Sequence, residues 1–75
     1  MRKAHNGGGM DTPLKRLRVR QGLTLKVVSK ASGIDVGNLS RIERGLQITS
    51  LSNAKKLSKF FGGEVSEIEI LFPFN

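Results

Sequence analysis

The sequence predicts an all-α fold, a compact domain of four to five short helices, and three observations support this prediction. Apolar residues recur three or four positions apart through most of the chain, as on one face of a helix. Helix-capping residues precede these stretches, and glycine or proline follows them. No strand-like alternation persists long enough to compete. With 75 residues, the chain has room for one domain, expected over residues 12–75.

The first helix is expected over about residues 13 to 21. Thr12 is a suitable N-cap, and Pro13 suits the first helical position because the amide hydrogen that it lacks would have no partner there. Leu14 and Leu17 lie one helical turn apart and should face inward. Gly22 can adopt the left-handed conformation that ends a helix.

The second and third helices follow the N-cap candidates Thr24 and Asp35, and Gly33 and Gly45 end them. Their expected buried residues are Val27, Val28 and Ala31 in the second helix, and Leu39 and Ile42 in the third.

The fourth helix should start at Ser50 and continue to Gly62, and a short fifth helix should follow Ser66 until Pro73 ends it. The expected apolar face of the fourth helix consists of Leu51, Ala54, Leu57 and Phe61, and the fifth helix carries Ile68 and Leu71.

The segment from about residue 24 to 44 reads as a helix-turn-helix. A steep crossing needs a corner residue without β-carbon clashes, which Gly33 provides, and a small residue at the helix contact, for which we expect Ala31. Ile34 is the expected apolar wedge after the turn. The outward face of the second of these helices would then carry Val36, Gly37, Asn38, Ser40 and Arg41.

Charge is distributed unevenly along the chain, whose formal net charge is +7. Residues 12–47 contain eight lysines and arginines but only two acids, whereas the acids Glu64, Glu67 and Glu69 follow without a cation. A positive end of this kind attracts a polyanion such as DNA, RNA or an acidic membrane surface. The simpler alternative is that the charge only keeps a small domain soluble.

Residues 1–11 are expected to form a flexible basic arm, because MRKAHNGGG has nothing to bury and contains three consecutive glycines. The functional alternative is an arm that reaches into the DNA minor groove.

The segment RQGLTLKVVSKASGIDVGNLSRIERG, residues 20–45, resembles the helix-turn-helix core of the Cro and lambda-repressor type, also called the xenobiotic-response-element (XRE) family. With the flanking residues the resemblance extends from Leu14 to Gly62. It implies a lambda-repressor-like domain whose recognition helix, about 36–44, enters the DNA major groove. The implied function is that of a sequence-specific transcriptional regulator, more often a repressor than an activator.

The resemblance also implies roles for individual residues. Arg41 would bind guanine, and Val36 and Gly37 would face the bases. Phosphate and sugar contacts would come from Asn38, Arg44 and Gln47, and from the start of the second helix at Thr24 and Lys26. Arg18 and Glu43 would form an internal ion pair.

Three positions depart from the family pattern. Leu25 stands at a position where the family commonly has a glutamine that contacts both the recognition helix and a phosphate. We expect Leu25 to be partly buried instead. Ser29 replaces a usual alanine, and Thr49 replaces a frequent proline, which predicts a looser loop before the fourth helix.

An enzyme is not expected. The chain has no cysteine, and its single histidine, His5, lies in the predicted arm, so neither an activated nucleophile nor a metal site is indicated. No cofactor is expected. Because no apolar run approaches the length of a bilayer span, the protein is expected to be cytoplasmic.

The expected partners are double-stranded DNA and a second copy of the chain. The apolar C-terminal segment motivates the homodimer, with Ile68, Ile70, Leu71, Phe72 and Phe74 as the candidate interface. Two alternatives remain open. The scaffold could be a protein-interaction module, as an antitoxin is for its toxin, or it could bind nucleic acid without sequence preference.

Overall fold

The computed structural model describes residues 11–74, and these form five α-helices with no strand among them. The helices are α1 (Pro13–Arg20), α2 (Leu25–Ser32), α3 (Val36–Glu43), α4 (Leu51–Phe60) and α5 (Glu67–Leu71). The predicted all-α fold is therefore confirmed. All of the predicted arm except Asp11 lies outside the described residues.

Each helix begins at a side-chain cap that the sequence predicts. In every case the capping oxygen accepts a hydrogen bond from the backbone amide three residues on, at 3.0 to 3.2 Å. The five caps are Thr12, Thr24, Asp35, Ser50 and Ser66. Helices of five to ten residues are too short to be stable alone, so the caps and the packing together hold them.

The core lies where the five helices meet. α4 packs against α2 and α5, while α1 packs against α3 and α5. The buried apolar residues are Leu14, Leu17, Val28, Ile34, Leu39, Ile42, Ala54, Leu57, Phe61, Val65 and Ile70. Val65 and Ile70 are the members that the sequence analysis does not place in the core: Val65 lies in the loop between α4 and α5, and Ile70 is a candidate interface residue there.

Three residues predicted to be buried are exposed. Val27 is 48% exposed, Ala31 is also exposed, and Leu51 is 52% exposed. The buried stripe of α2 is narrow and consists of Val28 and Ser32. Val27 and Ala31 each precede one of these residues and therefore face solvent. Leu51 is the first residue of α4 and lies at the edge of the core. These predictions were wrong because a short helix buries fewer positions than its apolar pattern suggests.

Ser32, rather than Ala31, is the small residue at the contact between α2 and α3. Its hydroxyl donates to the Val28 carbonyl at 2.8 Å and accepts from the Ile34 amide at 3.3 Å. The Ser29 hydroxyl donates to the Ile34 carbonyl, so this departure from the family pattern closes the turn. Gly33 has the left-handed φ of 76° that the corner requires, and Ile34 is the buried wedge, as predicted.

Glu43, at the end of α3, connects that helix to α1. Its carboxylate accepts from Arg18 Nε at 2.7 Å, and only 2% of its side chain is exposed. Its carbonyl accepts from the buried Thr12 hydroxyl at 2.7 Å. Arg18 also donates through Nη1 to the Leu23 carbonyl at 2.7 Å. The ion pair implied by the resemblance therefore exists, and it fixes the direction in which α3 leaves the body.

Candidate nucleic-acid interface

α3 has one side in the core and one side in solvent. Leu39, Ile42 and Glu43 are buried, and this anchors the helix through its inner face. Arg41 is exposed on the opposite face, and Val36, in the first turn, is 41% exposed. Of the predicted outward residues, Val36 and Arg41 are therefore accessible, whereas Gly37, Asn38 and Ser40 are partly buried.

Three of the predicted site residues are hydrogen-bonded to one another. Arg41 donates through Nε to Gln47 Oε1 at 2.9 Å and through Nη2 to Asn38 Oδ1. Asn38 and Arg41 lie one turn apart on α3, whereas Gln47 belongs to the loop after it. The arrangement holds the guanidinium group on the outer surface of α3. We refer to these three residues as the Arg41 network.

Gly37 lies beside this network. A β-carbon at position 37 would be 3.1 Å from Asp35 Oδ2 and 3.7 Å from Arg41 Nη1. The Asp35 oxygen is the one that caps α3 by accepting from the Asn38 amide at 3.2 Å. The absent side chain therefore leaves room for the cap, whereas the guanidinium group lies at an ordinary van der Waals distance from that position.

The other predicted contacts lie on either side of this face. Arg44 is exposed and donates through Nε to the Ser40 carbonyl at 3.3 Å. Thr24 and Lys26 are exposed at the start of α2, where the Thr24 hydroxyl caps the helix. Leu25 is half-buried against the core, as expected.

The loop between α3 and α4 is better held than the sequence suggests. Asn53 Nδ2 donates to the Thr49 hydroxyl at 3.0 Å, so Thr49 ties this loop to α4. Leu46 and Ile48 flank Gln47 and are 60% and 72% exposed. Leucine and isoleucine in a loop give no sequence signal for a surface role, so their spacing does not identify them.

The C-terminal segment folds back onto the same loop. The ring of Phe74 lies against the α-carbon of Gly45, and a shallow groove runs between residues 45–48 and 71–74. Among the predicted interface residues, Ile68, Phe72 and Phe74 are more than half exposed. Ile70 is buried in the core, so its assignment to a dimer interface was wrong.

The charges along the chain favour a polyanion as the partner of residues 12–47. The Arg18–Glu43 pair is internal, which leaves seven cations and one carboxylate in this part of the chain. Towards the C-terminus, Glu69 is part of the capping box of α5, and Glu67 also lies in its first turn. Acidic residues stabilise the start of a helix, which accounts for their position.

Neither a membrane span nor a metal cluster occurs within residues 11–74: no helix is long and apolar enough to cross a bilayer, and no group of potential ligands converges.

The comparisons with known proteins agree with this geometry. A family model described as helix-turn-helix matches residues 14–68, which is well over half of the chain. Comparisons with curated proteins and with solved structures gave no significant match. The chain belongs to the helix-turn-helix family of the Cro and lambda-repressor type, a family of DNA-binding regulators rather than of enzymes.

Proposed function

We propose that this DNA-binding regulator is a sequence-specific repressor that inserts α3 into the major groove of its operator. The single observation that carries the proposal is the exposed outer face of a rigidly anchored α3, with Arg41 displayed upon it. A helix of this diameter fits the major groove, where each base pair presents a distinct pattern of donors and acceptors.

Arg41 is the proposed base-reading residue. Its guanidinium group can donate two parallel hydrogen bonds to O6 and N7 of guanine, which is the commonest specific contact in the major groove. Val36 would touch a thymine methyl group, and Gly37 would let the backbone approach the bases. Both lie in the first turn of α3, at its exposed end.

The remaining proposed contacts are to phosphates. Arg44 lies at the far end of α3, and Thr24 and Lys26 lie at the start of α2, where backbone amides and the helix dipole favour an anion. The resemblance relates Asn38 and Gln47 to the DNA backbone as well. Such contacts position a protein on DNA and supply most of its affinity, but they carry no sequence information directly.

Repression requires fewer contacts from this protein than activation does. A domain that occupies a stretch of duplex excludes other proteins from it, whereas activation needs an additional contact to the transcription machinery.

We also propose a homodimer, in which Ile68, Phe72 and Phe74 form the apolar contact between two copies. Two recognition helices would then read two half-sites about one DNA turn apart.

The direct test is selection of bound fragments from a random DNA pool, followed by binding measurements on the selected site. Arg41→Ala should weaken specific binding by about 1–3 kcal/mol and have little effect on random DNA. Arg20→Ala is the matched control, because it removes an equally exposed arginine at the end of α1. It should leave sequence preference unchanged.

Three further outcomes distinguish the competing functions. Affinity should fall by orders of magnitude between low and moderate salt if several phosphates are bound. Equal losses for Arg41→Ala on selected and random DNA would favour binding without sequence preference. Absence of DNA binding, together with tight binding of a different protein, would favour the interaction module.

A further inference from the structure

We infer that Asn38 and Gln47 are positioning residues that orient Arg41 for base reading, and that they act on the DNA sequence through Arg41 rather than by contacts of their own. This inference rests on the proposed function and deepens it, because it assigns specificity to two residues that the resemblance relates only to the DNA backbone. The Arg41 network is the observation that carries it.

The chemistry of the three side chains determines which atoms meet. Arginine carries only donors, so each amide must turn its oxygen towards the guanidinium group. Gln47 Oε1 takes the Nε hydrogen at 2.9 Å, and Asn38 Oδ1 takes one from Nη2. Nε and Nη2 carry hydrogens along one edge of the planar group. The other edge, formed by Nη1 and Nη2, keeps the two parallel donors that guanine requires.

The network also determines where that second edge lies. Nη1 is 3.7 Å from the place that a β-carbon on Gly37 would occupy, so it lies over the first turn of α3. This turn also carries Val36, which is 41% exposed. The guanidinium group is therefore held at a base-facing position before DNA is present.

Preorganisation gives the network an energetic role. A long arginine side chain loses rotamer freedom when it binds, and fixing it in advance lowers that loss. Asn38 and Gln47 reach Arg41 from two different elements, α3 and the following loop. Two acceptors from separate elements restrict the side chain more than one helical neighbour would.

The test is a double-mutant cycle on the selected DNA site, with Arg41→Ala, Gln47→Ala and the double variant. Gln47→Ala should weaken specific binding about three- to tenfold and relax the preference at the base that Arg41 reads. In the Arg41→Ala background the same change should have less than about a twofold effect. Asn38→Ala should behave in the same way. Gln21→Ala, an exposed glutamine at the end of α1, is the matched control.

The outcomes separate this inference from the function on which it rests. If Gln47→Ala weakens selected and random DNA equally, and does so with or without Arg41, the residue contacts phosphate and the inference is overturned while the proposed function stands. If the unmodified protein selects no sequence at all, the proposed function fails and the inference fails with it. Thermal unfolding of each variant confirms that the domain remains folded.

Discussion

At the scale of single residues, Glu43 joins two parts of the fold from one position. Its side chain pairs with Arg18, and its carbonyl accepts from Thr12, so both groups tie the end of α3 to α1. The Arg18 side chain is 12% exposed and the Glu43 side chain 2%, so water can solvate neither charge well if its partner is removed. Removal of one member leaves the other charge buried without a partner. This destabilises the fold by more than the intact pair stabilises it.

We therefore expect Glu43→Ala to destabilise the domain by about 3–5 kcal/mol, because Arg18 would lose its counter-charge in a largely buried place. The double variant Arg18→Met, Glu43→Leu should cost less than Glu43→Ala alone, since no charge remains. Thermal unfolding measures both. Asp11→Ala is the control, because it removes an exposed pair with Lys15 that contributes less than about 1 kcal/mol. Equal effects of Glu43→Ala and Asp11→Ala would contradict the structural role of the pair.

At the scale of elements, the geometry of the helix ends decides how the short helices are joined. α2 ends at Gly33 with φ 76°, and the turn after α3 contains Gly45 with φ 72°. The left-handed conformation costs a residue with a β-carbon about 1–2 kcal/mol. The surroundings of the two glycines differ, because a β-carbon at position 33 would meet nothing within 4 Å.

A β-carbon at Gly45 would clash with Cε2 of Phe74. Gly45→Ala should therefore lower the melting temperature more than Gly33→Ala, because it adds a displaced aromatic ring to the same backbone strain. In a Phe74→Ala background the extra loss should disappear. Thermal unfolding of the four variants tests this. Equal shifts for Gly33→Ala and Gly45→Ala in the unmodified background would show that Phe74 does not rest on Gly45 in solution.

At the scale of the whole molecule, size and charge match the proposed mode of binding. The Cα atoms extend over 34 × 24 × 22 Å, and half-sites one DNA turn apart lie about 34–36 Å from centre to centre. Two copies on such half-sites would touch if their longest axes lie along the line that joins the half-sites. Outside the Arg18–Glu43 pair, residues 12–47 contain seven cations and one carboxylate, which favours binding to an anionic duplex, while Glu64, Glu67 and Glu69 lie in the C-terminal part of the chain.

The proposed dimer predicts that Phe72→Ser with Phe74→Ser shifts sedimentation equilibrium towards the monomer. The same change should weaken binding to a two-half-site operator far more than binding to a single half-site. Val19→Ser is the matched control, since Val19 is 57% exposed on α1 and lies outside the proposed interface. An unmodified protein that stays monomeric at high concentration, and that binds single and paired half-sites equally well, would argue against the dimer.

Local signals in the sequence were sufficient for the architecture. Capping residues, glycine stops and apolar spacing are short-range features, so they predicted four to five helices, their order and the turn at Gly33. The family resemblance of residues 20–45 added the expectation that α3 is the recognition helix, and it added the pairing of Arg18 with Glu43, which the structure contains. These features depend on neighbours along the chain or on a pattern that the family shares.

Only the tertiary structure decided which apolar residues are buried and how the site is organised. Val27, Ala31 and Leu51 carry the right spacing but lie beyond the width of the helix contacts, while Ile70 fills the core instead of an interface. The bond between Arg41 and Gln47 crosses from a helix to a loop, and its formation depends on the path that the loop takes. Such contacts depend on the relative placement of whole elements, which periodicity along a single chain does not encode.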